Sequence, residues 1–207
     1  LALGLPNAIS SILSGFASTF SNQILVGYGT GAVAAMAAAG KAVMVVTMIQ
    51  MGICMGIQPL LAYCYGGQDF SKLKEITRKV IMLTASLGFI LTIAIFFGRK
   101  WLIGLFIKDM EVAALGEHLV TYLILAGPFI GVYYLATNFL QAAGNAPGAS
   151  IASALRQGLL LIPLLYLLSS LFRLEGLAMA HLAADGISIF ITGGMALYYY
   201  RKIAASA

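Results

Sequence analysis

The chain has 207 residues, of which 61% are hydrophobic and 9% charged, and its mean hydropathy is +0.96. A soluble domain carries roughly a quarter of its residues as charges, so this composition excludes a water-solvated globule and leaves lipid as the solvent. The net charge of +5 comes in short bursts between apolar runs, without the continuous Arg/Lys stripe of a nucleic-acid binder, and reads as loop topology.

A membrane-crossing helix needs about 20 mostly apolar residues. Six such runs follow one another, at roughly 5–27, 34–64, 79–98, 118–142, 149–171 and 174–200. The predicted fold class is all-α: a polytopic six-helix bundle forming a single transmembrane lobe over 1–207. The N-terminus has no signal-peptide architecture, and the chain opens directly in the apolar run LALGLPNAIS, as if continuing a longer protein.

The first run carries Asn7, Ser11, Ser14, Ser18 and Ser21/Asn22 on one helical side, either a small-residue packing seam or a cavity wall. GYGTG (27–31) ends it. The second run repeats Met44, Met48, Met51 and Met55 along one face. Methionine is unbranched and polarizable, so this face is either an adaptable surface for apolar ligands or an ordinary core or lipid-facing stripe. Gly52 and Gly56 form a GxxxG suited to close helix approach, and Pro59 interrupts the helical ladder further on. Cys54 and Cys64 have no metal-ligand spacing and read as small apolar side chains.

GGQDFSKLKE (66–75) is the most polar stretch and separates the second and third runs. GRKWLIGLFIKDMEV (98–112) follows the third, with Trp101 and Phe106 placed as interfacial anchors. GNAPG (144–148) separates the fourth and fifth. The last two runs are joined by Phe172-Arg173-Leu174 alone, which makes them antiparallel neighbours. The sixth run holds Asp185, a carboxylate roughly 16 Å below the outer end at 1.5 Å per residue, near the midplane of a core about 30 Å thick. His181 lies one turn before it, and Ser188 and Thr192 continue the face. An ionisable group at this depth marks a functional site or a bonded structural one, and a histidine one turn away is placed to share its proton.

An even number of crossings puts both termini on one side. With the loop after the second run inside, the inner segments collect Lys72, Lys74, Arg78, Lys79, Arg156, Arg201 and Lys202. The outer ones hold Arg99, Lys100, Lys108 and Arg173, with Lys41 near that face. The basic excess predicts cytoplasmic termini.

Four segments carry a family resemblance. MGICMGIQPLLAYCYGG (51–67), QAAGNAPGASIASALRQGLLLIP (141–163), LEGLAMAHLAADGIS (174–188) and NQILVGYGTGAVAA (22–35) resemble, in the right order, the C-terminal half of MATE-type multidrug antiporters, with a fit to the bacterial branches typified by MepA and DinF. The resemblance implies one lobe of a twelve-helix transporter in the bacterial inner membrane. Its partners would be membrane lipid, an N-terminal six-helix lobe on the same or a separate chain (or a second copy), and an amphipathic or cationic small molecule exported in exchange for Na⁺ or H⁺. No cofactor, catalytic residue, metal or nucleic acid is implied. The NorM-like branch places acids in the first and fourth helices of this half. Here the first offers Asn22, and the fourth offers Tyr134, Asn138 and Gln141, with Glu117 and His118 at its mouth.

The candidate coupling residues are therefore Asp185 and His181. The candidate cavity-lining residues are Asn22, Ser18, Met48, Met51, Met55, Gln58, Tyr134, Asn138 and Gln141. A lipid-linked precursor flippase of the same superfamily would line its cavity with several cations, whereas only Lys41 is placed to approach one from within a run. A membrane-embedded enzyme would need converging groups such as HExxH, and the one in-membrane pair is His181/Asp185. A non-transporting assembly fragment is the remaining alternative.

Overall fold

A computed structural model describes residues 5–204 of the chain; the side chains of 5–7, 9–10 and 203–204, and so that of Asn7 in the predicted stripe, lie outside the described residues. The described elements are α1 (Leu5–Val26), α2 (Thr30–Gly66), α3 (Phe70–Phe106), α4 (Met110–Ile124), α5 (Gly127–Ala142), α6 (Ala146–Ala154), a π-helical turn (Leu155–Leu159) and α7 (Leu161–Ala204). The molecule is a membrane helical bundle.

The connections are short, and each has a local chemical cause. Gly29 enters α2 at φ 100°, a conformation open to glycine and strained for other residues. Asp69 caps α3 by accepting from the Lys72 N–H at 3.1 Å, and the Lys72 ammonium, 2.7 Å from its other oxygen, holds its carboxyl below the usual range. Asp109 caps α4 through the Glu111 and Val112 N–H groups, and Asn145 caps α6 through Gly148. The backbone leaves helical geometry at Arg173 (φ 53°, ψ −128°), breaking α7 into arms 161–172 and 174–204. The arms fold back on each other as the three-residue junction predicts. A Cβ built on Gly176 would overlap the Leu168 carbonyl, so the crossing needs a glycine there.

Several boundaries depart from the apolar runs. α2 and α3 each extend over 37 residues, about 55 Å at 1.5 Å per residue, well beyond the hydrocarbon. The polar stretches predicted as loops are largely helical because their Lys, Arg and Trp side chains suit a helix leaving the interface. The fourth run begins at Met110, ahead of the expected position 118, and is two helices bent by 47°. Pro128 explains the bend: it has no N–H for the Ile124 carbonyl, and the Thr92 hydroxyl donates to that oxygen instead at 3.5 Å. The fifth run is interrupted by the π turn.

Among the described residues, α2, α3 and the 146–202 stretch are long and apolar enough to cross a membrane, and the bent α4–α5 pair adds a further candidate. The first expected span, α1, has 22 residues and a serine stripe, and is not among these candidates.

α2 is the central post. One of its faces, Ala32, Ala35, Ala39, Ala42, Val46, Gln50, Cys54, Leu61 and Cys64, is buried. The alanine half packs with Ile103, Leu119, Val120 and Ile124, and the cysteine half with Leu73, Val80, Leu135 and Phe139. Between them Gln50 donates to the Gly127 carbonyl at 2.7 Å, and a Cβ on Gly131 would lie 2.5 Å from the Thr84 Cβ. The close approaches are therefore on α3 and α5, at Gly88, Gly127 and Gly131. The GxxxG of α2 is not used this way: Cβ atoms at Gly52 or Gly56 would meet nothing within 4 Å. Met44, Met48, Met51 and Met55 are 41, 57, 38 and 48% exposed, which removes the core reading of that stripe.

Candidate functional site

Four elements line a half-open cavity of about 310 Å³. α1 contributes Ser14, Ser18, Ser21 and Asn22; α2 contributes Val33, Met36 and Ala37; the π turn contributes Arg156 and Gln157; and the last arm of α7 contributes His181, Ala184 and Asp185. The polar stripe of α1 is thus a cavity wall over Ser14–Asn22.

The π turn positions the charge. Its closing bond runs from the Leu160 N–H to the Leu155 carbonyl, five residues back, at 2.9 Å, so one extra residue is accommodated in the turn. Arg156 lies in it. The Arg156 Nε donates to the Asp185 carboxylate at 2.7 Å, and its Nη1 to the Tyr134 hydroxyl at 3.4 Å. The guanidinium lies 4.8 Å from the centre of the Tyr133 ring and 5.5 Å from that of Tyr134, within range of a cation–π contact. The two charged side chains are 13% and 19% exposed. Opposite charges, aromatic faces and a hydroxyl together compensate the cost of holding a guanidinium away from water.

This geometry changes two sequence expectations. Arg156 is not an inner-loop cation but a cavity residue, so it leaves the inner basic tally, and it replaces Lys41 as the cation that reaches a cavity from within a span. Asp185 is hydrogen-bonded to Arg156 and, among the described residues, not to His181. His181 lines the same cavity one turn away. The signal for Arg156 in the sequence is a lone arginine inside the apolar run ALRQGLLLIP, which a count of loop cations places at the membrane surface.

The remaining candidates are distributed. Ser18 and Asn22 line the cavity, and Tyr134 reaches it through Arg156. Asn138 is buried on α5, and its side-chain nitrogen has no partner among the described residues. Gln58 donates to Gln141 across α2 and α5 at 3.1 Å, and neither lines the cavity. Met48, Met51 and Met55 also lie outside it. At 100° per residue, however, Val33, Ala37, Met44, Met48, Met51 and Met55 fall within an arc of about 60° on α2, so the methionines share the side of the helix that carries Val33 and Ala37.

A family sequence model described as MatE matches residues 6–167. The chain belongs to the MATE family. It is 30% identical over 185 residues to the multidrug export protein MepA of Staphylococcus aureus strain MSSA476, covering 89% of this chain and 41% of that protein. The corresponding protein of Staphylococcus saprophyticus is 31% identical over the same coverage. The chain therefore spans less than half the length of these relatives. Among solved structures, an inward-facing multidrug resistance MATE transporter of the MOP superfamily aligns with a TM-score of 0.92 at 14% identity, over 99% of this chain and 48% of that one. The Vibrio cholerae MATE transporter VcmN in its bent form aligns at 0.84 and 21% identity, over 98% and 46%. These likenesses establish the fold.

Proposed function

We propose that the chain is one six-span lobe, the C-terminal one, of an exporter of amphipathic or cationic compounds coupled to Na⁺ or H⁺, and that the cavity between α1, α2 and the last arm of α7 is part of its pathway. The observation that carries this reading is the Arg156–Asp185 pair at the wall of a serine- and asparagine-lined cavity. Burying a charge pair beside a cavity is poor economy for stability alone, but it provides an exchangeable anionic site. A lipophilic cation or a coupling ion entering the cavity competes with the guanidinium for the Asp185 carboxylate. The released Arg156 keeps the two tyrosine rings and the Tyr134 hydroxyl as partners. The methionine face on α2 gives the apolar part of a substrate an adaptable surface.

The relatives named as multidrug export proteins support the substrate class. Half-length coverage supports a second lobe completing the pathway. The fold agrees equally with a structure described as outward-facing (TM-score 0.91) and one described as inward-facing (0.92), which supports exchange by movement between lobes rather than within one. Both ends of the chain lie in the cytoplasm of a bacterial cell, on the weight of Lys72, Lys74, Arg78, Lys79, Arg201 and Lys202.

A flippase for anionic lipid-linked precursors would use Arg156 as a free cation, whereas Asp185 neutralises it at 2.7 Å. Cavity access separates these readings. In a Cys54→Ala/Cys64→Ala background, Ser18→Cys should react with a small cationic thiol reagent and be protected by a lipophilic cation. Protection by pyrophosphate but not by the cation would favour the flippase, and no protection by either would favour a non-transporting assembly role.

A further inference from the structure

A second concavity lies between α3, α5 and the last arm of α7, with a volume of about 380 Å³. Its walls are apolar, formed by Ile81, Leu135, Phe139 and Leu197 among others, and its mouth carries Lys74 and Arg78. The two cations are one helical turn apart, about 6 Å along the axis, and both are exposed. The acids beside them are engaged elsewhere: Asp69 pairs with Lys72 at 2.7 Å and Glu75 with Lys79 at 2.6 Å. Among the described residues, Lys74 and Arg78 have no carboxylate partner. Along α3 the chemistry then changes from charged (Lys74, Arg78) to apolar (Ile81, Met82) in the direction of the hydrocarbon.

That order, two unneutralised cations at interface depth above an apolar slot, is the profile of a phospholipid with an anionic headgroup. We propose that this groove binds one anionic phospholipid from the leaflet on the side of the α2–α3 turn, its phosphate at Lys74 and Arg78 and an acyl chain along Ile81, Leu135 and Phe139. A zwitterionic lipid fills the slot equally well but gains less from the cations, so the site discriminates by headgroup charge. The lipid would bridge α3 and the last arm of α7, which the Tyr200 hydroxyl links by donating to the Phe70 carbonyl at 3.5 Å. Occupancy should therefore stiffen the face of the lobe away from α1.

Gly193 supplies a second handle. It lines the groove, and a Cβ there would meet nothing within 4 Å, so the backbone at this position has room for a side chain. Leu197 is 62% exposed on the same wall, and Trp101 is the one native tryptophan. Leu197→Trp in a Trp101→Phe background therefore makes a local reporter, quenched by lipids with brominated acyl chains. Brominated phosphatidylglycerol should quench the saturable component at a mole fraction lower than brominated phosphatidylcholine by about fivefold or more, since each surface cation contributes about a fivefold preference.

Lys74→Gln/Arg78→Gln should bring that ratio to about one, each single variant should fall between, and Lys74→Arg/Arg78→Lys should retain the preference. Gly193→Leu should remove the saturable component for both lipids. Raising the salt on the unchanged protein should lower the preference, which keeps the test open should the double variant fail to fold. A ratio near one in the unchanged protein, a preference that survives the double glutamine change, or one insensitive to salt overturns the proposal.

Discussion

Removing one member of the Arg156–Asp185 pair should cost far more than removing both. At an effective dielectric of 20 and a charge separation of about 4 Å, the attraction is about 4 kcal/mol. Desolvation of the two ions offsets a similar amount, so the pair is worth little relative to apolar residues of equal volume. Deleting one partner strands the other, at about 3–5 kcal/mol for a fully buried pair. Because these side chains keep 13% and 19% of their exposure and border a cavity, about 2–4 kcal/mol is expected here. Asp185→Leu and Arg156→Met should each lower the melting midpoint in detergent by about 5–15 °C, while the double variant returns to within a few degrees of the unchanged protein. Asp185→Asn, which keeps an acceptor for the Arg156 N–H, should lose about half as much. A double variant that loses the sum of the two single effects would show that the residues are not coupled and would refute the reasoning.

Gly131→Ala should destabilise the bundle by about 1–3 kcal/mol through overpacking, since its Cβ would lie 2.5 Å from the Thr84 Cβ, whereas Gly52→Ala, which meets nothing within 4 Å, should be nearly silent in the same melt. Replacing Met44, Met48, Met51 and Met55 by leucine should leave expression unchanged and alter the relative export of chemically different compounds; an identical profile would assign the stripe to lipid contact. Cysteine introduced at Ser71 should label from the cytoplasmic side and at Met110, which is 87% exposed, from outside. Labelling of both from one side would overturn the orientation.

Much of the lobe was legible because lipid imposes simple rules. Long apolar runs gave the helices, and the three-residue junction at Arg173 gave the hairpin. The polar stripe of α1 could be read as far as its two alternatives, and the cavity that Ser14–Asn22 share with Arg156 and Asp185 decides between them. The bend at Pro128 was hidden because helix bending depends on whether a neighbour satisfies the freed carbonyl, and Thr92 is distant in sequence. Arg156 was misplaced for a related reason: a cation count treats every arginine near a predicted break as exposed. Its actual position depends on a π turn and on three aromatic or acidic partners from two other helices. The methionine face was visible as periodicity, but only the structure sets it in register with Val33 and Ala37 of the cavity.

In the function we propose, the exchange of a cation at Asp185 is the step on which transport by this lobe depends. The initial rate of efflux of a fluorescent lipophilic cation, from cells making the full reading frame that encodes this chain, tests it directly. Asp185→Asn, present in the membrane at the level of the unchanged protein, should reduce that rate by about tenfold or more, as expected when a charge-assisted contact of about 1.5–3 kcal/mol is lost, while Asp185→Glu retains a substantial part. An Asp185→Asn variant that exports the cation at the unchanged rate would contradict the role assigned to the pair and leave Arg156 and Asp185 as a packing element between α7 and the π turn.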